Sequence, residues 1–315
     1  MAEEEGTNVS TNINASKQSP RGSAINPRGS LSNPRASIND MMQFDLEYAA
    51  SHTGLTTTTP DYLLLKNQIT SPENIALFQA ALEGDLAGVN SALSQGAKPN
   101  YFCQKEDGKD SLHVAAEKGY IDIVDTLLSN GAVVDCKVAT SKSTALSLSC
   151  GNCHFEVAQM LIGAGANTNL ANSYGNRALH EAAKTGNQKI VRSLLNAGAD
   201  PNAANKKGST PLHFFCYGER EKEKEKDDDF SVETARILLD AGADVTWRDH
   251  NGYTPLLVCC TTGRLDIILL LIEYGADPTV KDNNNRSVTD IAKFYKRDNI
   301  IQHFATGDAP YSRFG

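Results

Sequence analysis

The sequence predicts an all-α solenoid of about seven helix-turn-helix units over residues 71–306, preceded by a disordered N-terminal arm, and three observations predict it. Gly-Ala recurs at Gly96, Gly131, Gly165, Gly198, Gly242 and Gly275, with spacings of 35, 34, 33, 44 and 33 residues. A period in this range marks supersecondary units that stack. A leucine stands nineteen residues before five of these glycines (Leu77, Leu112, Leu146, Leu179 and Leu256), and Leu212 stands thirty before Gly242. Composition changes sharply near residue 70: residues 1 to about 40 are rich in Ser, Asn, Pro and Gly with almost no aromatics. Such a segment buries too little apolar surface to offset the entropy of ordering.

Within the arm, Pro20, Pro27 and Pro34 recur every seven residues in the pattern Pro-Arg-(Gly/Ala)-Ser. This is no coiled-coil heptad, because no apolar residues sustain it and proline breaks a helix. Residues 41–66 are more apolar and are read as a short docking motif or a segment that packs on the folded part. Each later unit then opens on a short text, Ser111-Leu-His113, Ala178-Leu-His180, Thr210-Pro-Leu-His213 or Thr254-Pro-Leu256. Thr at an N-cap accepts a backbone N–H, and Pro at the first helical position lacks a donor that would be orphaned there anyway. Leu begins the buried face, and a Gly seven residues on (Gly84, Gly119, Gly186, Gly263) turns the chain. A second helix follows with apolar spacing, as in Ile121, Val124, Leu127 and Leu128 or Ile190, Val191, Leu194 and Leu195. The Gly of Gly-Ala-Asp caps it in a left-handed conformation.

Recurring in fixed register, these marks resemble the ankyrin repeat family over residues 71 to about 306. The resemblance implies an ankyrin-repeat solenoid with hairpin-like fingers between units, near 71–104, 105–138, 139–171, 172–204, 205–248, 249–281 and 282–306. One unit cannot bury both sides of its helix pair, so stacking stabilises and the ends need polar caps. The final cap is expected to expose Lys293, Lys296, Arg297, Asp298 and Gln302. The fifth unit carries eleven extra residues between its helices, 219–229, all charged. They are read as a solvated loop, helical at its start, or as an acidic contact for a basic partner. Residues 307–315 form a C-terminal tail.

Charge and motif searches exclude several functions. With 30 Lys+Arg against 38 Asp+Glu and a net charge of −8, the chain lacks the concentrated positive field of a nucleic-acid binder. Its longest aliphatic run, Ile267 to Ile272, is far short of the roughly 20 residues that span a bilayer. The start Met-Ala-Glu-Glu-Glu lacks signal-peptide character, so the chain is expected to be cytoplasmic, with nuclear presence allowed and its seven cysteines reduced. Cys150-Gly-Asn-Cys153-His154 matches a haem-attachment pattern, but its register places Cys150 on a buried small-residue position and Cys153 on the helix turn. Cys216, Cys259 and Cys260 occupy the same buried positions. His180-Glu-Ala-Ala-Lys184 fails the zinc-protease pattern because the second ligand is Lys. No nucleophile elbow or phosphate-binding glycine loop occurs. The expectation is therefore no catalytic residue, no metal and no cofactor, in a chain that is not an enzyme.

The resemblance implies a non-enzymatic protein–protein interaction adaptor, monomeric by itself and without a small-molecule substrate. Partners would lie on finger tips and the exposed face of the first helices, the concave surface. That points to Tyr174 and Lys184, to Lys206, Lys207 and Tyr217, to Trp247, Arg248, His250, Asn251 and Tyr253, and to Arg286. Glu106, Asp107, Lys109, Glu117 and Lys118 make the early part of that surface more acidic and mixed. Trp, Tyr and Arg dominate interface energetics, so Trp247 with Arg248 and Tyr253 is the candidate hot spot; the structural alternative has Trp247 packed on the next finger. The histidines His113, His180 and His213 are expected to bond across neighbouring loops as scaffold. Asn100, Asn169 and Asn202 occupy the place of asparaginyl hydroxylation in such repeats, whereas Asp135, Thr246 and Thr279 depart from it. In the arm, Ser23, Ser30, Ser32 and Ser37 follow Arg in patterns that suit basic-directed kinases, against the alternative of an inert solubilising tail. The other functional class is a regulatory or targeting subunit of an enzyme or larger assembly.

Overall fold

A computed structural model of the chain describes residues 71–103, 106–218 and 228–305. The chain divides into two units, Met1–Ser37 and Ile38–Gly315, and all described residues belong to the second. Ser23, Ser30, Ser32 and Ser37 lie outside the described residues, as do 219–227 of the charged run.

Fourteen helices in seven pairs make up the described residues: α1 (Pro72–Glu83) and α2 (Leu86–Ser94), α3 (Ser111–Lys118) and α4 (Ile121–Ser129), α5 (Ala145–Gly151) and α6 (Phe155–Gly163), α7 (Ala178–Thr185) and α8 (Gln188–Asn196), α9 (Pro211–Tyr217) and α10 (Asp228–Asp240), α11 (Pro255–Thr262) and α12 (Leu265–Glu273), and α13 (Val288–Phe294) and α14 (Asp298–Ala305). The starts follow the sequence signals. Thr144 Oγ1 accepts the Ser147 N–H at 3.2 Å, and Asp110 takes the same role for His113 at 2.9 Å. Pro211 and Pro255 occupy first helical positions. At the end of the first helix the chain enters the left-handed region in every unit whose turn is described. Cys153 (φ 62°) and Lys296 (φ 55°) do so without being glycine. In the fifth unit Asp228 and Asp229, read as loop, open α10 instead.

First helices pack on one another in a continuous row from α1 to α13, and second helices form a looser row from α2 to α12. The difference follows from side-chain size. Ala115, Ala116, Ala182, Ala183, Cys150, Cys216 and Cys259 are fully buried on the first helices and let their backbones approach, while Leu127, Leu161, Leu194 and Leu271 fill the space behind them. Full burial of each such leucine contributes roughly 1.5–3 kcal/mol. At the N-terminal end a smaller cluster of Ile75, Phe78, Tyr101, Cys103 and Val114 closes the stack.

Polar side chains tie each unit to the next. Nε2–H of His113, His180 and His213 donates to the carbonyls of Cys136, Ser209 and Tyr253 at 3.0, 3.2 and 3.0 Å. These histidines are scaffold. On the other side of the stack, Asn100, Asn169 and Asn202 form clamps across units. Nδ2 of each donates to the carbonyl of the next unit's glycine, Gly131, Gly198 or Gly242, at 3.1, 2.9 and 2.8 Å. Oδ1 of each accepts the N–H of Val133, Asp200 or Asp244 at 2.8, 3.1 and 2.8 Å. Asp135 keeps only the accepting half, from Asn167 N–H at 3.0 Å, because a carboxylate has nothing to donate.

The C-terminal cap differs from expectation at Arg297. This side chain is half-buried and turned inward, its Nε and Nη2 donating to the Thr261 carbonyl at 2.9 and 2.7 Å. Lys293, Lys296, Asp298 and Gln302 are exposed as anticipated.

Two outcomes follow. Asp135→Asn restores the missing donor toward Gly165 and should stabilise the chain by about 1 kcal/mol in urea unfolding; an unchanged or lower midpoint would refute the clamp. Burial pushes His180 down from 6.5 to about 4, against the bond to Ser209 that pulls the other way, and His213 shifts in the same direction for the same first cause. The fold therefore holds neutral His180: its contribution is complete above pH 6.5, and falls between 6.5 and about 4 as the unfolded chain takes up the proton first. Stability should drop by roughly 2 kcal/mol from pH 7.5 to pH 5 on account of this one group. Urea midpoints at the two pH values check it, and His180→Gln should flatten the dependence.

Candidate protein-binding surface

The fingers are built by one device used repeatedly. Oδ1 of Asn172, Asn205, Asp249 and Asp282 accepts two backbone N–H groups each, two and four residues on, at 2.8–3.0 Å. Asn and Asp can do this because their carboxamide or carboxylate oxygen reaches the backbone two residues ahead. A backbone bond then closes each hairpin, Asn172 to Asn176, Asn205 to Ser209, Asp249 to Tyr253 and Asp282 to Arg286. The tip takes the left-handed region, held by Gly175, Gly208 and Gly252 and, in the sixth finger, by Asn285 (φ 61°). A Cβ on Gly175 would lie 2.7 Å from the Lys206 nitrogen, and Gly175 has φ +82°.

Neighbouring fingers are joined tip to tip. Ser173 N–H donates to the Ser141 carbonyl at 2.7 Å, Lys206 to Tyr174 at 3.0 Å, His250 to Lys207 at 3.0 Å and Asn283 to Asn251 at 3.2 Å. The tips thus form a pre-built ladder rather than independent loops, and the N–H groups of Tyr174, Lys206, Lys207, His250, Asn251 and Asn283 are already bonded within it. What remains to donate to a partner there is side chains.

Those side chains are the ones the sequence singled out, brought into one region. Tyr174 (68% exposed), Lys206 and Lys207 stand at the third and fourth tips, and His250 and Asn251 at the fifth. Arg248 leads into the fifth finger and is exposed, with its guanidinium donating to the Lys281 carbonyl. Lys184 and Tyr217 are exposed at the C-terminal ends of α7 and α9. Trp247 is half-buried, and its indole N–H donates to the Gly208 carbonyl of the preceding finger at 3.0 Å. It props its own finger against the one before, whereas the structural alternative had placed it on the one after.

Tyr253 and Arg286 form a connected cluster. Arg286 Nη2 donates to the Tyr253 hydroxyl at 2.8 Å and pairs with Asp282 Oδ2 at 2.6 Å, and its guanidinium lies 5.9 Å from the Tyr253 ring centre. Burial would raise the Asp282 carboxyl, but bonds from Arg286 and from the Asn284 N–H outweigh it and hold it below the ordinary value. Burial first, then the Asp249 charge, push the Tyr217 phenol up to about 12, with Tyr253 and Tyr295 adding to it. Tyr295 and Phe294, 42% and 70% exposed and stacked edge to face at 5.1 Å, extend this aromatic area. The sequence reading missed them because they sit in the last unit, read only as a polar cap; their signal was two adjacent aromatics at the end of its first helix.

The residues of the two rejected motifs do not converge. Cys150 is fully buried and Cys153 exposed, and the His154 ring bonds the Glu117 carbonyl at 3.0 Å. Burial pushes the Cys150 thiol well up. His180 is buried and Lys184 exposed. Among the described residues no group of three His, Cys, Asp or Glu is placed to hold a metal, and no helix is long and apolar enough to cross a membrane.

Tyr253→Phe removes the acceptor for Arg286 Nη2 while keeping the ring. The expected cost is about 0.5–1 kcal/mol in urea unfolding with the fold unchanged; a loss of several kcal/mol would mean that this cluster holds the stack rather than decorating it.

Comparison with known proteins agrees with this architecture. The family of ankyrin repeats in sets of three copies matches residues 46–138, 133–205 and 197–282. Curated relatives include the ankyrin repeat and KH domain-containing protein mask-1 of Caenorhabditis elegans, 35% identical over 111 residues, which are 35% of this chain and 4% of that protein. An ankyrin repeat protein of Fowlpox virus (strain NVSL) is 31% identical over 130 residues, 41% of this chain and 36% of the viral protein. The chain therefore matches well under two thirds of these relatives' length. The crystal structure of the human ASB11 ankyrin repeat domain shares the fold at TM-score 0.63 and 24% identity, covering 74% of this chain and 98% of that one. With the repeat matched from residue 46 to residue 282 and the paired-helix stack in place, the chain belongs to the ankyrin repeat family.

Proposed function

We propose that the chain is a non-enzymatic adaptor that binds a protein partner on its finger tips and first helices, and that the residues 1–70 serve as an arm open to phosphorylation at Ser23, Ser30, Ser32 or Ser37. Ankyrin repeats are in general protein–protein interaction modules. The observation that carries the proposal is where the aromatics lie. Of six exposed aromatic residues among the described residues, Phe102 and Tyr174 are in fingers and Tyr217, Phe294 and Tyr295 end first helices; Tyr274 alone follows a second helix. Exposed aromatics cost solubility and are the side chains that anchor interfaces, so their gathering on one side supports recognition there. The second-helix side instead carries ion pairs such as Arg192–Glu233 at 2.5 Å and Arg236–Glu273 at 3.9 Å. Closer packing of the first-helix row also favours curvature toward that row, which would make this side concave. A pre-bonded ladder loses little freedom on binding, so the scaffold is expected to change shape little.

Affinity capture from cells tests the reading with the full chain, a Tyr174→Ala/Tyr217→Ala/His250→Ala variant and an Arg236→Ala/Glu273→Ala control. The expected result is a partner lost roughly tenfold or more by the first variant, the size of two exposed hot-spot contacts, and kept by the control. Retention by the first variant with loss by the control would move the interface to the second helices and overturn the proposal.

A further inference from the structure

Charge is not spread evenly along the ladder of finger tips. The first finger carries Glu106 and the exposed Asp107, with Lys109 paired to Glu117 at 2.7 Å, and the second carries a single exposed cation, Lys142. The fourth to sixth fingers carry Lys206, Lys207, Arg248 and Lys281, all exposed. Among the described residues no carboxylate forms an ion pair with any of them. The two carboxylates inside these fingers, Asp249 and Asp282, are 6% and 5% exposed, with Oδ1 of each already holding two backbone N–H groups. The exposed Asp200 and Asp277 sit just after the second helices, at the start of a finger rather than at its tip. Asp290, at the start of α13, is the exposed carboxylate that feels Lys281, and it is bonded to Ser287 at 2.6 Å. In a chain of net charge −8, a cationic row without an ion pair among the described residues is a local reversal of sign.

We infer that this row, headed by Tyr174, docks an extended acidic segment of a protein partner. The inference rests on the protein-binding reading above and names the chemistry of the partner. Four facts point to it together. The row keeps one register from finger to finger, because Lys206 N–H bonds the Tyr174 carbonyl, His250 N–H the Lys207 carbonyl and Asn283 N–H the Asn251 carbonyl. It is fixed, because each finger is closed by its own Asx bonds. The tip N–H groups of Tyr174, Lys206, Lys207, His250, Asn251 and Asn283 are all bonded within the ladder, so an acidic segment must be met by cationic side chains rather than by backbone donors. Spacing sets the form of the partner: packed helix units lie about 8–10 Å apart, and an extended chain advances about 3.3 Å per residue, so a carboxylate every third residue meets successive fingers. Tyr174 at the head supplies an aromatic platform for an apolar residue at one end of that segment.

Fluorescence anisotropy with the full chain tests this directly, using a labelled 18-residue peptide of Glu-Ser-Gly repeats and its Gln-Ser-Gly counterpart. The Glu peptide should bind at 0.05 M NaCl at least tenfold more tightly than the Gln peptide and be weakened at 0.5 M NaCl. Lys206→Ser/Lys207→Ser/Lys281→Ser should lose about tenfold, from three exposed charges of about 0.5 kcal/mol each. Lys109→Ser/Lys118→Ser/Lys142→Ser, at the other end of the stack, should bind as the parent does. The inference is overturned if the Glu peptide does not bind, if the Gln peptide binds equally, or if both triple variants behave alike. Tighter binding of a 20-nucleotide single-stranded DNA through the same lysines would overturn it in favour of nucleic acid. A cellular partner lost by the Tyr174/Tyr217/His250 variant but kept by Lys206→Ser/Lys207→Ser/Lys281→Ser would refute the acidic partner and leave the protein-binding reading standing.

Discussion

Everything in this structure depends on contacts between successive units, because no helix pair encloses a core of its own. The small residues of the first helices, Ala115 and Ala116, Ala182 and Ala183, or Cys216, Cys259 and Cys260, set how closely units approach. The histidines and asparagines then lock that approach at its two sides, each with bonds of about 3 Å reaching 23 to 42 residues along the chain. Stability in such a stack is a sum of unit terms and interface terms, so a lost bond is felt most by the two units it joins.

The same contacts leave the exposed side chains of the tips without a part in holding the fingers. The inward positions of the fingers are taken by the half-buried Asn172 and Asn205 and the buried Asp249 and Asp282, which fix the hairpin without using the exposed side chains. Tyr174, Lys206, Lys207 and His250 are attached to a backbone that does not need them.

Much of the fold was legible because its signals are local and repeat. Leu112, Gly119 and Gly131 fix one unit, and the same spacings predict the next, so cumulative register overcame the weakness of each signal alone. The candidate site was partly legible: tip positions follow from the finger, and Tyr174, Lys206, Lys207 and His250 are where the spacing placed them. What could not be read depends on geometry across units. Arg297 looked like a solvated cap residue, yet it reaches back 36 residues to the Thr261 carbonyl. Trp247 looked like an anchor, yet its N–H is spent on Gly208. Nor does sequence show that the tips are bonded to one another, since each of those bonds joins residues about one repeat apart.

The central claim is that the finger ladder is a pre-formed part of the cooperative structure. Native-state amide hydrogen exchange of the free chain measures this most directly, at the N–H groups of Lys206, His250 and Asn283 that join the tips. The account predicts slow exchange there, with protection approaching that of the buried first-helix amides at Ala183 and Cys216. Exchange at the rate of unstructured chain would contradict it, because the face offered to a partner would then not exist until the partner arrived.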